Sequence, residues 1–368
     1  MDFRGLASSN DAECRWKLKK SRGSFTTYAR QPAALLVPET DTAGKGRSTQ
    51  QVLAAGEIRC HLQEVVHVLN TATDFDHNAV MSGLYRKDFI YGSVVHVVPM
   101  GDGPKLAELL QEQVSTTTRV AVKTGTFVHS KMFSPNEQWC YLERAQLVRD
   151  SLDEKELEAG KVNGHGRVNM LHNMKAGYLV EQLRGSRFVR VIFFGQFDGN
   201  NDADAPGHAG QSQMRARLMR LAEGATRLPE VVIRRRFGAQ TMADRAAFPA
   251  KNSHCICCTK SLRLLTRKHR CHLCGHYVCD RCWSVQEMET QTTRCITPVR
   301  VCSRCMEFVE NGDYSAVKPS SLGNIEVRRG PVSEPPANKT LAHLLRRQLR
   351  ASSGARKNSV RTVIQYLV

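Results

Sequence analysis

Outside one block of about sixty residues, this 368-residue chain has almost no cysteine: only Cys14, Cys60 and Cys140. That scarcity argues against a secreted, oxidised protein held by disulfides. No run of about eighteen or more apolar residues occurs, so no stretch reads as a helix spanning a bilayer. The first residues, MDFRGLASSNDAECRWKLKKSRGS, lack the apolar centre of a signal peptide. A reducing, cytoplasmic compartment is expected. The usual marks of catalysis are also missing: there is no Gly-rich phosphate loop, no nucleophile elbow and no H-E-x-x-H. Glu143 and Arg144 are adjacent, so on a strand they point to opposite faces. His165, His172 and His208 have no partner fixed by sequence. The reading is a protein that is not an enzyme. Acid is short as well, with 35 Asp+Glu against 53 Lys+Arg, a net charge of +18. That balance favours an anionic partner, either an acidic membrane surface or nucleic acid.

What is present is concentrated. Ten of the thirteen cysteines fall between Lys251 and Glu310. Eight of them form four Cys-x2-Cys pairs: Cys255/Cys258, Cys271/Cys274, Cys279/Cys282 and Cys302/Cys305. Two cysteines at this spacing on a tight turn put both sulfurs on one tetrahedral zinc, roughly 2.3 Å from the metal. Four pairs make two closed all-cysteine sites, two Zn2+ in all, with no open position for water or substrate. Such sites supply folding energy rather than catalysis. Cys257 and Cys295 are left over as bystanders.

The residues between the pairs carry a resemblance. The block reads CICC, twelve residues, CHLCG-x3-CDRC, a longer insert and then RVCSRC, with Arg267-Lys268-His269-Arg270-Cys271-His272 leading into the second pair. It resembles the FYVE zinc finger over its whole length. The resemblance implies a cross-brace, with Cys255, Cys258, Cys279 and Cys282 on one ion and Cys271, Cys274, Cys302 and Cys305 on the other. It also implies a phosphoinositide-containing membrane as partner, in the family phosphatidylinositol 3-phosphate on endosomes. Arg267, Lys268, His269, Arg270, His272 and Arg300 would meet the headgroup, and Leu264 and Leu265 would insert into the bilayer. The chain departs from the family in four places. Ala246 and Pro249 stand where Trp and Asp are usual, and Arg270 and His272 replace a His and an Arg. These changes bear on which phosphate the finger would choose.

The remainder reads as one further domain between basic, disordered ends: 1–49 before it, and 313–368 after the finger at 245–312. Within 50–240, Gln63–Asn70 and Asn78–Lys87 read as short helices. Gly92–Val98, Arg119–Val128, Gln138–Val148 and Arg187–Phe197 read as strands, with a weaker one at Arg167–His172. A helix follows from Gln211 to about Arg227, with Met214, Leu218, Leu221, Ala225 and Leu228 on one stripe. Short helices, a sheet and a closing helix are similar in order to the START-like helix-grip fold, which implies a lipid in a tunnel under that helix. The whole is then α+β: a START-like domain followed by a small two-zinc finger. In the tail, Leu341, Leu344, Leu345 and Leu349 could line a basic amphipathic helix.

Three functions compete. The leading one is an adaptor that docks a FYVE-type finger on membrane while a START-like domain holds or senses lipid. A RING-type ubiquitin ligase also uses a cross-brace, but normally places a His among its middle ligands. A nucleic-acid binder is supported by charge alone, without base-reading or stacking residues, so no nucleic-acid partner is expected.

Overall fold

The computed structural model describes residues 16–30, 49–99, 119–129, 135–148, 168–171, 173–198, 210–246, 249–263, 267–290, 295–315, 317 and 361–367. The chain divides into two compact units, one of residues 1–231 with 360–368 and one of residues 232–359. It is α+β throughout.

The first unit is built on a sheet. Its strands are β1 (Trp16–Arg22), β2 (Phe25–Arg30), β3 (Thr49–Arg59), β4 (Phe89–Tyr91), β5 (Val94–Pro99), β6 (Arg119–Phe127), β7 (Asn136–Val148), β8 (Val168–Met170), β9 (Met174–Gln182) and β10 (Phe188–Asp198). The C-terminal Arg361–Leu367 adds the last strand of the chain, β15, after four strands of the second unit. The order is β1-β2-β3-β10-β9-β15-β7-β6-β4, with β5 on β6 and β8 on β7. Every pairing is antiparallel except β7 with β8. Two helices, α1 (Leu62–Leu69) and α2 (Asp74–Tyr85), sit between β3 and β4. His61 caps α1 in a reciprocal box with Glu64, and the Thr73 hydroxyl accepts from the Asp76 amide to start α2.

The closing helix, α3 (Gln211–Ala225), packs on β10 and β3. Its stripe Met214, Leu218, Leu221 and Ala225 is fully buried, which is the face the sequence pattern selects. Arg217 lies on the same helix yet is 1% exposed. It is tolerated because its guanidinium bonds the Glu137 carboxylate and the Val128 carbonyl and lies 4.4 Å from the Phe127 ring centroid.

The expected order of short helices, sheet and closing helix is present, but the ends differ from expectation. The sequence reads 1–49 as disordered, yet this segment supplies β1 and β2. Five basic residues and no acidic one make WKLKKSRGSFTTYAR look like a solvated run. Phe25, Thr27 and Ala29 nonetheless alternate inward, and β1 carries its lysines at the sheet edge. The tail, also expected to be disordered, returns β15 to pair with both β7 and β9. The amphipathic pattern at 341–349 lies outside the described residues.

The second unit takes the C-terminal part of α4 (Leu228–Gly238), then β11 (Lys268–Arg270), β12 (Tyr277–Cys279), β13 (Trp283–Thr290), β14 (Cys295–Cys302) and α5 (Ser303–Asn311). β11 pairs with β12 and β13 with β14, both antiparallel. Phe237 of α4 is fully buried in one core with Leu273, Val278, Met288, Val299, Val301, Val309 and Tyr314. Gly238 ends α4 against β13, where a Cβ would fall 2.1 Å from the Glu289 carbonyl oxygen. Arg234 and Arg235 converge on the buried Glu289 carboxylate at 3.3 Å, and Arg236 donates to the Glu310 carbonyl. Gly238 and Gln240 are packed within this unit, the latter donating to the Tyr314 hydroxyl.

Candidate metal centres, basic face and inner pocket

Each pair of short strands exists to aim sulfur. The turn after Cys271 closes through the Gly275 amide on the Cys271 carbonyl, and Gly275 takes φ +76°, a left-handed conformation natural only to glycine. The turn after Cys255 closes the same way, but the residue in the left-handed position is Thr259, at φ +58°. A β-branched residue there is strained. Cys302 caps α5 and accepts from the Cys305 amide at 3.4 Å, so two sulfurs sit where the helix N-terminus favours negative charge.

The eight sulfurs gather into two sets, Cys255, Cys258, Cys279 and Cys282, and Cys271, Cys274, Cys302 and Cys305. Within each set the sulfur atoms lie within 4.8 Å of one another. The pairing alternates along the chain, first pair with third and second with fourth, as the cross-brace requires. Hydrogen bonds from Cys274, Cys302 and Cys305 pull the Cys271 thiol below its ordinary value. Four soft sulfurs, two of them buried in each set and none accompanied by an oxygen ligand, fit zinc in a closed structural site. The finger binds two zinc ions, and their role here is to hold the fold. Cys257 belongs to neither set.

The six basic residues anticipated for a headgroup do not form one surface. β11 alternates, so its neighbours point apart. The His269 ring stacks on Trp283 at 4.0 Å and lies 3.0 Å from the Asp280 carboxylate. Arg270 is spent on backbone, donating to the Gly275 and Arg245 carbonyls at 2.8 Å each. The Lys268 ammonium lies 4.9 Å from the Tyr277 ring centroid, and Arg267 is exposed. His272 faces a different group: its amide donates to the Arg300 carbonyl at 2.9 Å, and its Nε2 lies 3.5 Å from the Arg245 guanidinium. Burial, followed by Arg245 and Arg300, lowers the pKa of His272. Arg245 escapes the sequence reading because it precedes the cysteine block and belongs to no motif. Leu264 and Leu265 lie outside the described residues.

The first unit has its own polar feature. A pocket bounded by α2, α3 and the sheet is lined by Val80, Met81, Leu84, Trp139, Phe193 and Leu221, with His77, Tyr85, Tyr141, Tyr178 and Glu143 among them. Its non-atom space is about 440 Å3 including the mouth, but only about 30 Å3 admits the centre of a water molecule. Beside it, Lys123 is completely buried and bonds Glu143 at 2.5 Å and the Thr71 hydroxyl at 3.0 Å. Burial, then Lys123, lowers His77 to about 4, so it is neutral and donates from Nε2 to the Thr124 carbonyl. Burial raises Tyr85 to about 12. A tunnel was expected beneath α3. The pocket touches α3 only through Leu221 and is framed mainly by α2 and the sheet.

A family model for the FYVE zinc finger matches residues 249–311. Rabankyrin-5 of Mus musculus and Rabankyrin-5 of Homo sapiens are each 36% identical to this chain over 63 residues, 17% of this chain. The match spans 5% of the length of those relatives. Among solved structures, the lipid transfer and protein localization domain of human StarD13 has a TM-score of 0.33 and 13% identity, covering 60% of this chain and 89% of that one. Human STARD10 gives 0.34 and 11%, over 63% and 79% respectively. A STAR-related lipid transfer protein fragment from Xanthomonas axonopodis gives 0.33 and 12%, over 59% and 98%.

Proposed function

We propose that this protein is a non-enzymatic, zinc-dependent adaptor that docks on phosphoinositide-bearing membrane through its finger and holds or senses a lipid in its sheet unit. The observation that carries the docking half is the set of exposed cations on a frame braced by two four-cysteine sites: Arg267 and Lys268 at the start of β11, and Arg300 on β14. FYVE fingers as a family bind phosphoinositide headgroups, which gives these cations their natural ligand. Phosphate meets guanidinium through paired, charge-assisted hydrogen bonds. Its excess of 53 basic over 35 acidic residues would draw the chain toward an anionic leaflet before any specific contact. The compartment that fits is the cytoplasm, with peripheral attachment to endosomal membrane, and the headgroup in view is phosphatidylinositol 3-phosphate. Insertion by Leu264 and Leu265 would add apolar burial worth roughly 1.5–3 kcal/mol each.

The lipid half rests on the inner pocket, apolar on most sides with one buried ion pair at its wall. Pockets of this composition orient a mainly apolar ligand by a few polar groups. Because little of the space admits even a water centre, a lipid would have to part α2 from the sheet to enter.

Vesicle flotation with the full-length, zinc-loaded protein tests the docking half. Arg267→Ala with Arg300→Ala should lower binding to phosphoinositide vesicles at least tenfold while leaving two zincs bound, in keeping with the loss of charge-assisted contacts of about 1.5–3 kcal/mol. Unchanged binding by a correctly metallated double variant would reassign the finger to protein contacts.

A further inference from the structure

The strand that completes the sheet comes from the far end of the chain. β15 pairs along its whole length with β7, from Arg361 opposite Val148 to Leu367 opposite Leu142. On its other side it pairs with β9, from Arg361 opposite Glu181 to Leu367 opposite Lys175. Both pairings are antiparallel, so β7 and β9 run in one direction, and such strands are joined by a crossover rather than a hairpin. Among the described residues, that crossover adds only β8 to this edge of β7. Val168–Met170 lies parallel to Asn136–Gln138, and the Leu171 amide donates to the Gln138 carbonyl. Farther along, β7 and β9 are about 9–10 Å apart, two strand spacings, and β15 fills the gap.

Each flank of the gap has its own support. β9 is paired with β10 from Met174 to Phe197's register partner and on to Gln182, and β10 is paired in turn with β3. β7 is paired with β6 from Glu137 to Ala145. The helices bridge the two halves: α3 packs on β10 and β3 and against α2, while α2 packs on β4, which β6 holds. Two paired, helix-backed half-sheets thus offer two strand edges to one slot. Strand edges of this kind take up extended peptide, with main-chain bonds giving affinity and alternate side chains giving selectivity. The segment RTVIQYL suits such a slot, being rich in β-branched and aromatic residues and free of Gly and Pro. Lying between two partners, it turns each amide toward one flank or the other.

The same strand underlies the inner pocket. Trp139, Tyr141 and Glu143 of β7 and Tyr178 of β9 line that pocket, and in register Tyr366 stands opposite Glu143 and Ile364 opposite Tyr178. The pocket has a continuous floor only while the slot is filled. We propose that the gap between β7 and β9 is a binding site for an extended peptide of β-branched and aromatic residues, and that this chain's own Arg361–Leu367 is its exchangeable occupant. Residues 318–360 join that occupant to the finger, so its return closes a long loop, at an entropic cost that grows only slowly with length. The exchange requires neither the headgroup reading nor a particular lipid in the pocket.

The test keeps the whole chain. A protease recognition sequence is placed within 318–360, and the zinc-loaded protein is cut only after it has folded. The tail fragment should stay bound after cutting, and an excess of fluorescently labelled peptide 360–368 should then replace it, read as label that co-elutes with the protein. The same peptide with Ile364→Pro should bind at least about tenfold more weakly, because proline removes a ladder donor and is barred from a strand paired on both sides. Uncut protein should take up at least about tenfold less label, since its tethered tail competes from within the molecule. Hydrogen exchange on uncut protein gives a second reading. Ile364→Pro in the full chain should quicken exchange in β7 over 142–148 and in β9 over 175–181, while the ladder between β3 and β10 keeps its protection. If the cut fragment resists excess peptide, β15 is a permanent strand and the exchange is overturned. If the sheet unit unfolds once the tail leaves, the slot does not exist without its occupant, and the site is overturned as well. Dimers of uncut protein that disappear with Ile364→Pro would put a second copy's tail in the slot and overturn occupancy within one chain.

Discussion

The finger and the sheet unit are ordered by opposite means. In the finger, eight ligands lie within 51 residues, from Cys255 to Cys305, and two ions brace a small hydrophobic core around Phe237. In the sheet unit there is no such pin among the described residues. Its order comes from strand pairs far apart in sequence, such as Val52 with Gly195 and Thr362 with Leu147, over a core of Phe, Tyr, Val and Leu. The difference teaches where each unit can be broken. One should depend on a reagent that takes metal, the other on single buried side chains.

The largest effect of that second kind should come from Lys123. Its ammonium is wholly buried against Glu143 and Thr71, so Lys123→Met strands a carboxylate in the interior. Loss of about 3–5 kcal/mol from the sheet unit is expected in urea titrations followed by tryptophan fluorescence of Trp139. Adding Glu143→Leu should return most of it, because the desolvated charge is then gone too. A double variant as unstable as the single one would mean that the pair does more than cancel its own burial.

A somewhat smaller effect separates the units by pH. Burial, then Lys123, holds His77 at about 4 in the folded state, against an ordinary value near 6.5. The unfolded chain therefore binds the extra proton first. The stability is complete above about pH 6.5 and is lost as pH falls from there toward 4, amounting to about 3 kcal/mol at the acid end. Asp74, which raises the value, opposes the shift only in part. His77→Gln should flatten the acid limb of the sheet unit between those pH values, read as the pH dependence of its urea midpoint. An unchanged acid limb would show that other groups set it.

The smallest effect belongs to the finger. Thr259 occupies the position that Gly275 occupies in the other turn, at a positive φ that costs a β-branched residue about 1 kcal/mol or more. Thr259→Gly should stabilise the metal-loaded finger by about that amount, seen as a slower loss of zinc to a chelator. Faster loss would place the value of Thr259 in its side chain.

The same contrast governs what could be read from the sequence. The Cys-x2-Cys spacing is local, so the two metal sets are legible to the residue. Helices α1 to α3 are legible from their apolar spacing, and the strands β6, β7 and β10 because Val, Phe and Tyr mark them, whereas α4 and α5 escape the reading. β9 escapes because Ala176 and Gly177 interrupt MKAGYLVEQ with small residues, and β1 because WKLKKSR carries its charges along a sheet edge. β15 (RTVIQYL) is rich in β-branched and aromatic residues, but its partners lie more than 170 residues away, and nothing local announces them. How the headgroup set is disposed in space is hidden for another reason. A run of basic residues looks like one surface in one dimension, whereas β11 sends His269 to Trp283 and leaves Arg270 on carbonyls. Arg245 joins His272 through folding alone.

Hydrogen exchange on the full-length protein, before and after removal of zinc by a chelator, tests the two-means account most directly. Metal loss should remove protection from the finger, through β11 to β14 and α5, and should reach back to Phe237, whose ring shares that core. Protection in β3, β9 and β10 should persist. Exchange that quickens equally in both units, or in neither, would contradict the claim that metal orders the one and strand pairing the other.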